Sequence, residues 1–279
     1  MEVYKGIKPL KAFLKEKRAT YTIGLVPTMG ALHAGHVSLI EASKYENDLT
    51  VCSIFVNPAQ FNNPSDLEKY PRTLEHDLEM LQRAGCDVVF APDRNEMYSQ
   101  GTTIQFDFGE LDKILEGKSR PGHFSGVALV VSKLFHIVQP SVAYFGQKDF
   151  QQFLVIKKMV DELKFDLQLK RMPIFREIDG LAMSSRNKRL NESERKNAIV
   201  FYECLREAKK LLQSQNTISH VKESVKQKCE SIQGVRLDYF EMASTENLNT
   251  IETVSENAVL LIAGFVGEVR LIDNLLMNE

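Results

Sequence analysis

The sequence lacks the features that mark exported, membrane-bound and nucleic-acid-binding proteins. Its 35 basic and 37 acidic side chains give a net charge of -2, so no charge excess favours nucleic acid or an anionic membrane. The longest nearly apolar stretch, Ala258–Val266, is far shorter than the roughly 20 residues of a membrane-spanning helix. Charged and apolar residues alternate from Glu2 onward, which does not match a secretory signal. We therefore expect a soluble, cytoplasmic protein.

Closely spaced cysteines are also missing. The sequence contains no CxxC pair, which argues against a zinc knuckle or a dithiol redox site. Buried free thiols are the preferred interpretation of the four widely spaced cysteines: Cys52, Cys86, Cys204 and Cys229.

In the first half of the sequence, short apolar runs typical of strands alternate with segments of helical periodicity. This order is typical of a parallel sheet covered by helices. Residues 22–26 read as strand one, a helix follows over about 33–45, and 50–56 is typical of a strand buried on both faces. Further strands are predicted at 87–90, 142–145 and 166–172. Residues 1–175 are therefore predicted to form an α/β domain, a Rossmann-like parallel sheet with helices on both faces.

From residue 191 onward the pattern changes. Asn191 followed by Glu194 resembles a capping box, so a long helix is predicted to about residue 212, and a second helix over 218–229. Three apolar runs follow at 236–242, 258–265 and 268–274, with Gly267 in the last turn. Residues 176–279 are thus predicted to be a smaller α+β domain with an antiparallel sheet.

The segment after strand one, PTMGALHAGH over residues 27–36, is the first candidate site. Gly30 allows a tight turn out of the strand, and His33 and His36 share the first turn of the following helix. An isolated HxxH pair is more often structural. Here, however, the pair follows a strand and a glycine turn and stands at a helix N-terminus. This setting favours an anion-binding site over a structural role, with phosphate as the natural ligand.

HxGH in this setting is similar to the nucleotidyltransferase superfamily. Four further blocks narrow the resemblance, FVNPAQF at 55–61, RPGHFSGV at 120–127, FGQKD at 145–149 and DGLAMSSRN at 179–187. In this order the five blocks resemble the pantothenate synthetase family over about residues 20–190, and LIDN at 271–274 is loosely similar too. The resemblance implies an enzyme, an AMP-forming pantoate-β-alanine ligase.

The implied reaction condenses (R)-pantoate with β-alanine to pantothenate in two steps. The pantoate carboxylate attacks the α-phosphate of ATP to give pantoyl-adenylate and pyrophosphate, and the β-alanine amine then displaces AMP. The resemblance implies Mg²⁺ with the substrate ATP, held mainly through the phosphates and not by a protein metal site. It also implies a homodimer without nucleic-acid or membrane partners.

The resemblance assigns site residues block by block. Those given catalytic roles are His33, His36, Lys148 and Arg186. Those expected to contact ATP are Met29, Gly30, His33, His36, Gly146, Gln147, Lys148, Asp149, Phe175, Met183, Ser184, Ser185 and Arg186. Pantoate is assigned to Gln60 and Gln152, with Gln60 also near β-alanine. Weaker candidates are Asn57, Tyr70 and Arg72, and loop ordering is expected of Arg120 and His123.

These side chains suit their assigned roles chemically. Lys148 can neutralise charge on the reacting phosphate, and Asp149 can accept hydrogen bonds from the ribose. A hydroxyl and guanidinium set such as Ser184 to Arg186 can hold departing pyrophosphate. Taken alone, the Lys-Asp pair is better explained as a surface ion pair, and the serines as ordinary loop residues.

Two other functions compete with the ligase hypothesis. A nucleotidylyltransferase would share HxGH, but its acceptor pocket should be basic, whereas this chain offers glutamines. A regulatory or RNA-binding module could keep the fold without the chemistry. Retention of both histidines and Lys148, without excess positive charge, weighs against that module.

Overall fold

The computed structural model describes residues 1–99 and 102–279, which divide into two compact units. The first unit comprises Met1–Gly146 and Gln152–Met172, and the second comprises Gln147–Gln151 and Pro173–Glu279. The border predicted at residue 175 lies just beyond Met172. Assignment of the short segment Gln147–Gln151 to the second unit was not predicted from the sequence.

Strands and helices alternate along the first part of the chain. In order they are β1 (Glu2–Tyr4), α1 (Ile7–Lys17), β2 (Ile23–Thr28), α2 (Ala34–Glu46), β3 (Leu49–Ile54), α3 (Pro64–Glu68), α4 (Leu74–Arg83), β4 (Val88–Phe90), α5 (Arg94–Met97), α6 (Leu115–Ser119), α7 (His123–Val138), β5 (Val142–Gly146), α8 (Phe150–Leu163) and β6 (Gln168–Met172). The later part contains α9 (Glu192–Asn197), α10 (Val200–Gln213), α11 (Ile218–Glu230), β7 (Val235–Ser244), β8 (Ala258–Val266) and β9 (Val269–Leu276).

The strands of the first unit form one parallel sheet in the order β1-β4-β3-β2-β5-β6. Leu25 and Val26 are adjacent in β2 and both are 0% exposed, as are Val51 and Cys52 in β3. Because successive side chains of a strand point to opposite faces, both faces of the sheet are covered. In the second unit β7, β8 and β9 form an antiparallel sheet. The predicted fold class is confirmed.

Two predicted elements differ from the structure. Residues 22–26 are not the first strand, because β1 precedes them and pairs with β4 at the sheet edge. This short strand has exposed side chains at Glu2 and Val3, so no apolar pattern reveals it. The single helix predicted from 191 to 212 is two helices, α9 and α10, separated at Ala198 and Ile199.

Two other local predictions, the capping box and the buried thiols, are confirmed. Asn191 and Glu194 form the predicted capping box at the start of α9, with both hydrogen bonds at 2.9 Å. All four cysteines are buried free thiols, and none of them forms a disulfide. Among the described helices, none combines the length and apolar character needed to cross a membrane.

Candidate functional site

The strand order places a topological switch point between β2 and β5. From β2 the chain moves through β3 and β4 to one side, and β5 is then added on the other side of β2. Ligands of open parallel sheets bind outside the carboxyl ends of strands at such a point. A Cβ at Gly146, the last residue of β5, would meet no described atom within 4 Å, so this strand end borders open space.

A buried carboxylate shapes the turn that follows β2. Asp77 on α4 is 0% exposed, and its two oxygens accept the backbone N–H groups of Ala31 at 2.9 Å and Leu32 at 2.8 Å. Gly30 has a φ of +78°, and a Cβ there would lie 2.9 Å from the Asp77 carboxylate, so glycine is required. Thr28 Oγ1 accepts the N–H of Gly30 at 3.2 Å. The turn is therefore fixed before the histidine helix begins.

The two histidines occupy the first turn of α2. His33 is the N-cap residue, and its ring centroid lies 4.0 Å from that of His36. The backbone N–H of His33 donates to Nδ1 of His36 at 3.3 Å, which leaves the proton of the neutral His36 ring on Nε2. The pair thus adds an imidazole N–H donor to a helix N-terminus, where backbone N–H groups and the helix dipole already favour an anion.

Gln60 is held by a network of neutral groups. It is 6% exposed and ends the 3-10 turn Pro58–Gln60; its Oε1 accepts from Asn57 Nδ2 at 3.1 Å, and its Nε2 lies 2.9 Å from Met29 Sδ. The hydroxyl of Tyr98 donates to Asn57 Oδ1 at 2.7 Å. Burial raises the pKa of Tyr98 to about 12, so this donor stays protonated at neutral pH. The structure therefore brings Met29, Asn57 and Gln60 together.

Helix α7 supports the same turn from its N-terminal end. Nδ1 of His123 lies 2.8 Å from the Gln60 carbonyl, and Nε2 lies 3.1 Å from Nη1 of Arg120. Because a guanidinium can only donate, Nε2 accepts and Nδ1 donates to Gln60. A Cβ at Gly126 would lie 2.1 Å from the Ala59 carbonyl oxygen, so close packing of α7 on the turn requires glycine. Both features order the loop that carries Gln60.

Three other candidates of the first unit have different surroundings. Gln152 is half-buried near the start of α8, and within residues 1–99 and 102–279 its side chain has no hydrogen bond. The ring of Tyr70 packs edge-on against Phe61 at 5.8 Å. The guanidinium of Arg72 donates to three backbone carbonyls, those of Leu67 and Glu68 at the end of α3 and that of Tyr70 in the following loop. Arg72 thus stabilises a helix end.

The segment Gln147–Gln151 follows β5 and belongs to the second unit. Gln147 is 3% exposed, and its side-chain amide donates to Glu279 Oε2 at 3.1 Å. The Nε2 group is therefore engaged within its own unit, and the burial of the side chain favours a backbone contact between Gln147 and a ligand. The Lys148 side chain is half-buried and Asp149 is exposed.

Phe175 and Met183 lie on opposite arms of a tight hairpin in the second unit. The N–H of Met183 donates to the Phe175 carbonyl at 3.0 Å, and the Phe175 side chain is 43% exposed. At the tip, Gly180 has a φ of +97°, and a Cβ there would lie 2.3 Å from the Tyr202 ring. Glycine at this position is explained by backbone conformation and close packing.

Ser184, Ser185 and Arg186 follow the hairpin. Ser184 Oγ accepts the N–H of Arg186 at 3.2 Å and so caps the 3-10 turn Ser185–Arg189. Asn187 Nδ2 donates to the Ala182 carbonyl at 3.1 Å, which ties this turn to the hairpin.

Ion pairs anchor the hairpin. Arg195 contacts Glu177 at 2.6 Å and Asp179 at 2.8 Å, and Arg176 contacts Asp273 at 2.7 Å. The hydrogen bond from Arg195 lowers the pKa of the Asp179 carboxyl below its usual value of 3.8. These arginines are therefore structural.

Lys148 and Arg186 differ from these arginines. Neither has an ion-pair partner in the part of the chain that the structure describes. A lysine and an arginine without such a contact suit an anionic ligand. The Lys148 charge also acts on Asp273, where burial raises the pKa of the carboxyl and the charges of Arg176 and Lys148 oppose that rise. Among the same residues, no group of three or more His, Cys, Asp and Glu side chains could hold a metal ion.

Sequence reasoning missed several residues that shape the site. Asp77 carried a signal, because it lies four residues before Leu81 on the apolar face of α4, where a carboxylate must be buried and bonded. The Arg176 and Asp273 pair carried no local signal, since the two residues are 97 positions apart.

The parallel sheet and the histidine pair at its switch point define a doubly wound, Rossmann-like α/β protein. The sequence profile of the family described as pantoate-beta-alanine ligase matches residues 2–276. The chain is 47% identical over 282 residues to a pantothenate synthetase of Bacteroides thetaiotaomicron, covering 100% of both chains. It is 47% identical over 279 residues to one of Thermosipho africanus, covering 99% of this chain and 100% of the other.

Solved structures agree. A pantothenate synthetase of Thermus thermophilus aligns with a TM-score of 0.94 and 40% identity, over 99% of each chain. A pantoate-beta-alanine ligase of Francisella tularensis, complexed with beta-gamma ATP and beta-alanine, aligns with a TM-score of 0.85 and 36% identity, over 100% of this chain and 98% of the other. The chain therefore belongs to the pantoate-β-alanine ligase family. It is an enzyme, and the predicted family resemblance is confirmed.

Proposed function

We propose that this ligase forms pantothenate from (R)-pantoate and β-alanine by an ATP-dependent reaction through pantoyl-adenylate. The observation that carries the proposal is the His33 and His36 pair, fixed at the N-terminus of α2 with a neutral imidazole N–H donor. The Francisella tularensis relative, which was solved in complex with beta-gamma ATP and beta-alanine, supports the choice of substrates.

In the first step, a carboxylate oxygen of pantoate attacks the α-phosphorus of ATP. The bond from that phosphorus to the bridging oxygen breaks, and pyrophosphate leaves. Pantoate is already ionised at neutral pH, so this step needs alignment and charge stabilisation and no strong base. His33 and His36 donate hydrogen bonds to the phosphates, and Met29 and Gly30 border the nucleotide.

In the second step, the β-alanine nitrogen attacks the acyl carbon of pantoyl-adenylate. The acyl–oxygen bond breaks, AMP leaves, and the amine loses a proton. Gln60 and Gln152 are proposed to hold pantoate, and Gln60 also β-alanine. A fixed neutral amide can bond the hydroxyls of pantoate and its carboxylate without adding charge.

Lys148 and Arg186 are proposed to bind the phosphates of the nucleotide. Lys148 and Arg186 lack ion-pair partners in the described part of the chain, so their charges suit the phosphates. The remaining proposed ATP contacts are Gly146, Gln147, Asp149, Phe175, Met183, Ser184 and Ser185. Gln147 acts through its backbone, because its side chain is bonded to Glu279.

Three accompanying properties are part of the proposal. Magnesium enters bound to the phosphates of the substrate ATP. The enzyme works in the cytoplasm, a reducing compartment that suits its four unbonded thiols. The homodimer implied by the resemblance stays a prediction, which light scattering on the purified protein tests directly.

The test is pantoate-dependent exchange of labelled pyrophosphate into ATP, followed by AMP release on addition of β-alanine. We expect wild-type exchange and a loss of about 100-fold or more for His36→Ala. His76→Ala, which changes an exposed histidine of α4, is the matched control and should retain wild-type exchange. Folded wild-type protein without exchange would contradict the adenylate mechanism, and unchanged turnover in His36→Ala would remove His36 from it.

A further inference from the structure

Asn274 is a deeply buried amide in the last strand of the second unit. It is 1% exposed, next to Asp273 at 6%, within the otherwise apolar end of β9. A buried amide nitrogen requires acceptors, because an unpaired polar group is destabilising in a protein interior. Its partners therefore show what the side chain does.

The Asn274 amide binds the backbone around Lys148. Nδ2 donates to the carbonyl oxygen of Gln147 at 3.0 Å and to that of Lys148 at 2.9 Å. These successive carbonyls belong to the 3-10 turn Gln147–Asp149, which joins β5 to α8. One amide group thus fixes two adjacent peptide planes of the turn that carries the Lys148 side chain.

The Asn274 backbone is itself held in place. Its carbonyl accepts from Arg176 Nη2 at 3.1 Å, and its N–H donates to Asp273 Oδ1 at 2.8 Å. Arg176 also binds both oxygens of Asp273, at 2.7 and 3.0 Å. A bidentate pair with a planar guanidinium restricts orientation strongly. The support behind Lys148 is therefore a rigid strand end.

The position of Lys148 matters only if its amine acts at a defined point. We infer that Asn274 is a positioning residue, which holds the Gln147–Lys148 backbone so that the Lys148 amine meets the phosphate charge of the adenylation transition state. This inference rests on the role of Lys148 in the proposed function. Displacement of a catalytic group by about 1 Å can cost roughly 100-fold in rate, so loss of the amide should lower kcat.

The experiment is a double-mutant cycle of Asn274→Ala and Lys148→Ala in the full-length enzyme, with pyrophosphate exchange as the readout. Asn274→Ala should lower kcat by about 10- to 100-fold with the KM of pantoate changed less than about twofold. In the Lys148→Ala background the same substitution should change the residual rate less than about twofold, because the group it positions is gone.

Controls separate positioning from stability. Asn47→Ala removes another buried amide with two hydrogen bonds, to the Ser43 carbonyl at 2.9 Å and the Tyr144 hydroxyl at 2.7 Å, just before β3 begins. It should lower the thermal midpoint and leave kcat unchanged. If Asn274→Ala does not fold, Asn274→Ser keeps one donor on a shorter side chain and should fold with an intermediate kcat.

The outcomes are distinguishable. Wild-type kcat in a folded Asn274 variant, together with a large loss in Lys148→Ala, would overturn the positioning role and leave the proposed function intact. An equal effect of Asn274→Ala in both backgrounds would also overturn it, because the residue would not act through Lys148. Unchanged exchange in Lys148→Ala would contradict the proposed role of Lys148 and the inference together.

Discussion

The two units hold their candidate site residues with different chemistry. In the first unit, Asn57 and Gln60 are fixed by neutral hydrogen bonds, and the histidine turn is fixed by backbone N–H groups bound to Asp77. In the second unit, ion pairs of Arg176 and Arg195 hold the candidate segments. Neutral networks respond little to pH and salt, whereas ion pairs respond to both. The neutral hydrogen bonds of Asn57 and Gln60 should therefore depend less on pH and salt than the ion pairs of the second unit, whereas the histidine turn depends on the Asp77 carboxylate.

Burial makes one of these ion pairs unlike the others. The side chains of Arg176 and Asp273 are 16% and 5% exposed, while the carboxylates bound by Arg195 are 30% and 38% exposed. Burial raises the pKa of Asp273, and its hydrogen bonds with Arg176 oppose that rise. Removing the arginine would leave this buried carboxylate without the only cation that contacts it within the part of the chain that the structure describes.

Breaking this buried pair should give the largest effect. Arg176→Gln should lower the free energy of unfolding by about 3 to 5 kcal/mol, because Asp273 loses its opposite charge. Urea unfolding followed by circular dichroism measures the change. Lys222→Gln, which breaks the more exposed pair with Glu241, should cost less than about 1 kcal/mol. Equal losses in the two variants would contradict the distinction between buried and exposed pairs.

An intermediate effect is expected at the carboxylate of the first unit. Asp77→Asn keeps the shape of the side chain, but its amide nitrogen cannot accept a backbone N–H. Stability should fall by about 1.5 to 3 kcal/mol, and pyrophosphate exchange should slow by roughly tenfold or more as the histidine turn loosens.

The matched control for this substitution is Asp48→Asn. Asp48 is exposed and accepts the backbone N–H of Thr22 at 2.8 Å, just before β2 begins and so at the other end of that strand. Its substitution should leave exchange unchanged. A comparable loss of exchange in both variants would show that a carboxylate at either end of β2 affects activity, and that the turn has no special role.

The smallest effect concerns the exposed pairs of the hairpin. Because the pKa of Asp179 is lowered in the folded protein, its stabilising contribution is complete above its unfolded value and is lost as pH falls through the folded one. Arg195→Gln should therefore cost about 1 kcal/mol or less at pH 7, after solvent screening. The difference in thermal midpoint between wild type and variant should shrink below about pH 4. If the difference in thermal midpoint instead grows as the pH falls, the Asp179 carboxylate does not stabilise the folded protein in the way proposed.

The sequence was most informative where the interactions are local. Periodicity predicted the core strands β2 and β3 and helix α2 to within a few residues, and the Asn191 capping box was read directly from its spacing. It failed for β1, whose pairing with β4 depends on backbone bonds between segments far apart in the chain. The proposed ligand roles of the site residues stay predictions.

By itself, the sequence determined the α/β class, the family, and the place of His33 and His36 after a strand and a glycine turn, because these depend on neighbours within a few positions. Only the tertiary structure decided that Asp77 binds the turn at Ala31 and that Asn274 binds the backbone of Lys148. Spacing along the chain carries no information on such pairs. They form because packing brings a buried polar group to the nearest backbone groups that can satisfy its hydrogen bonds.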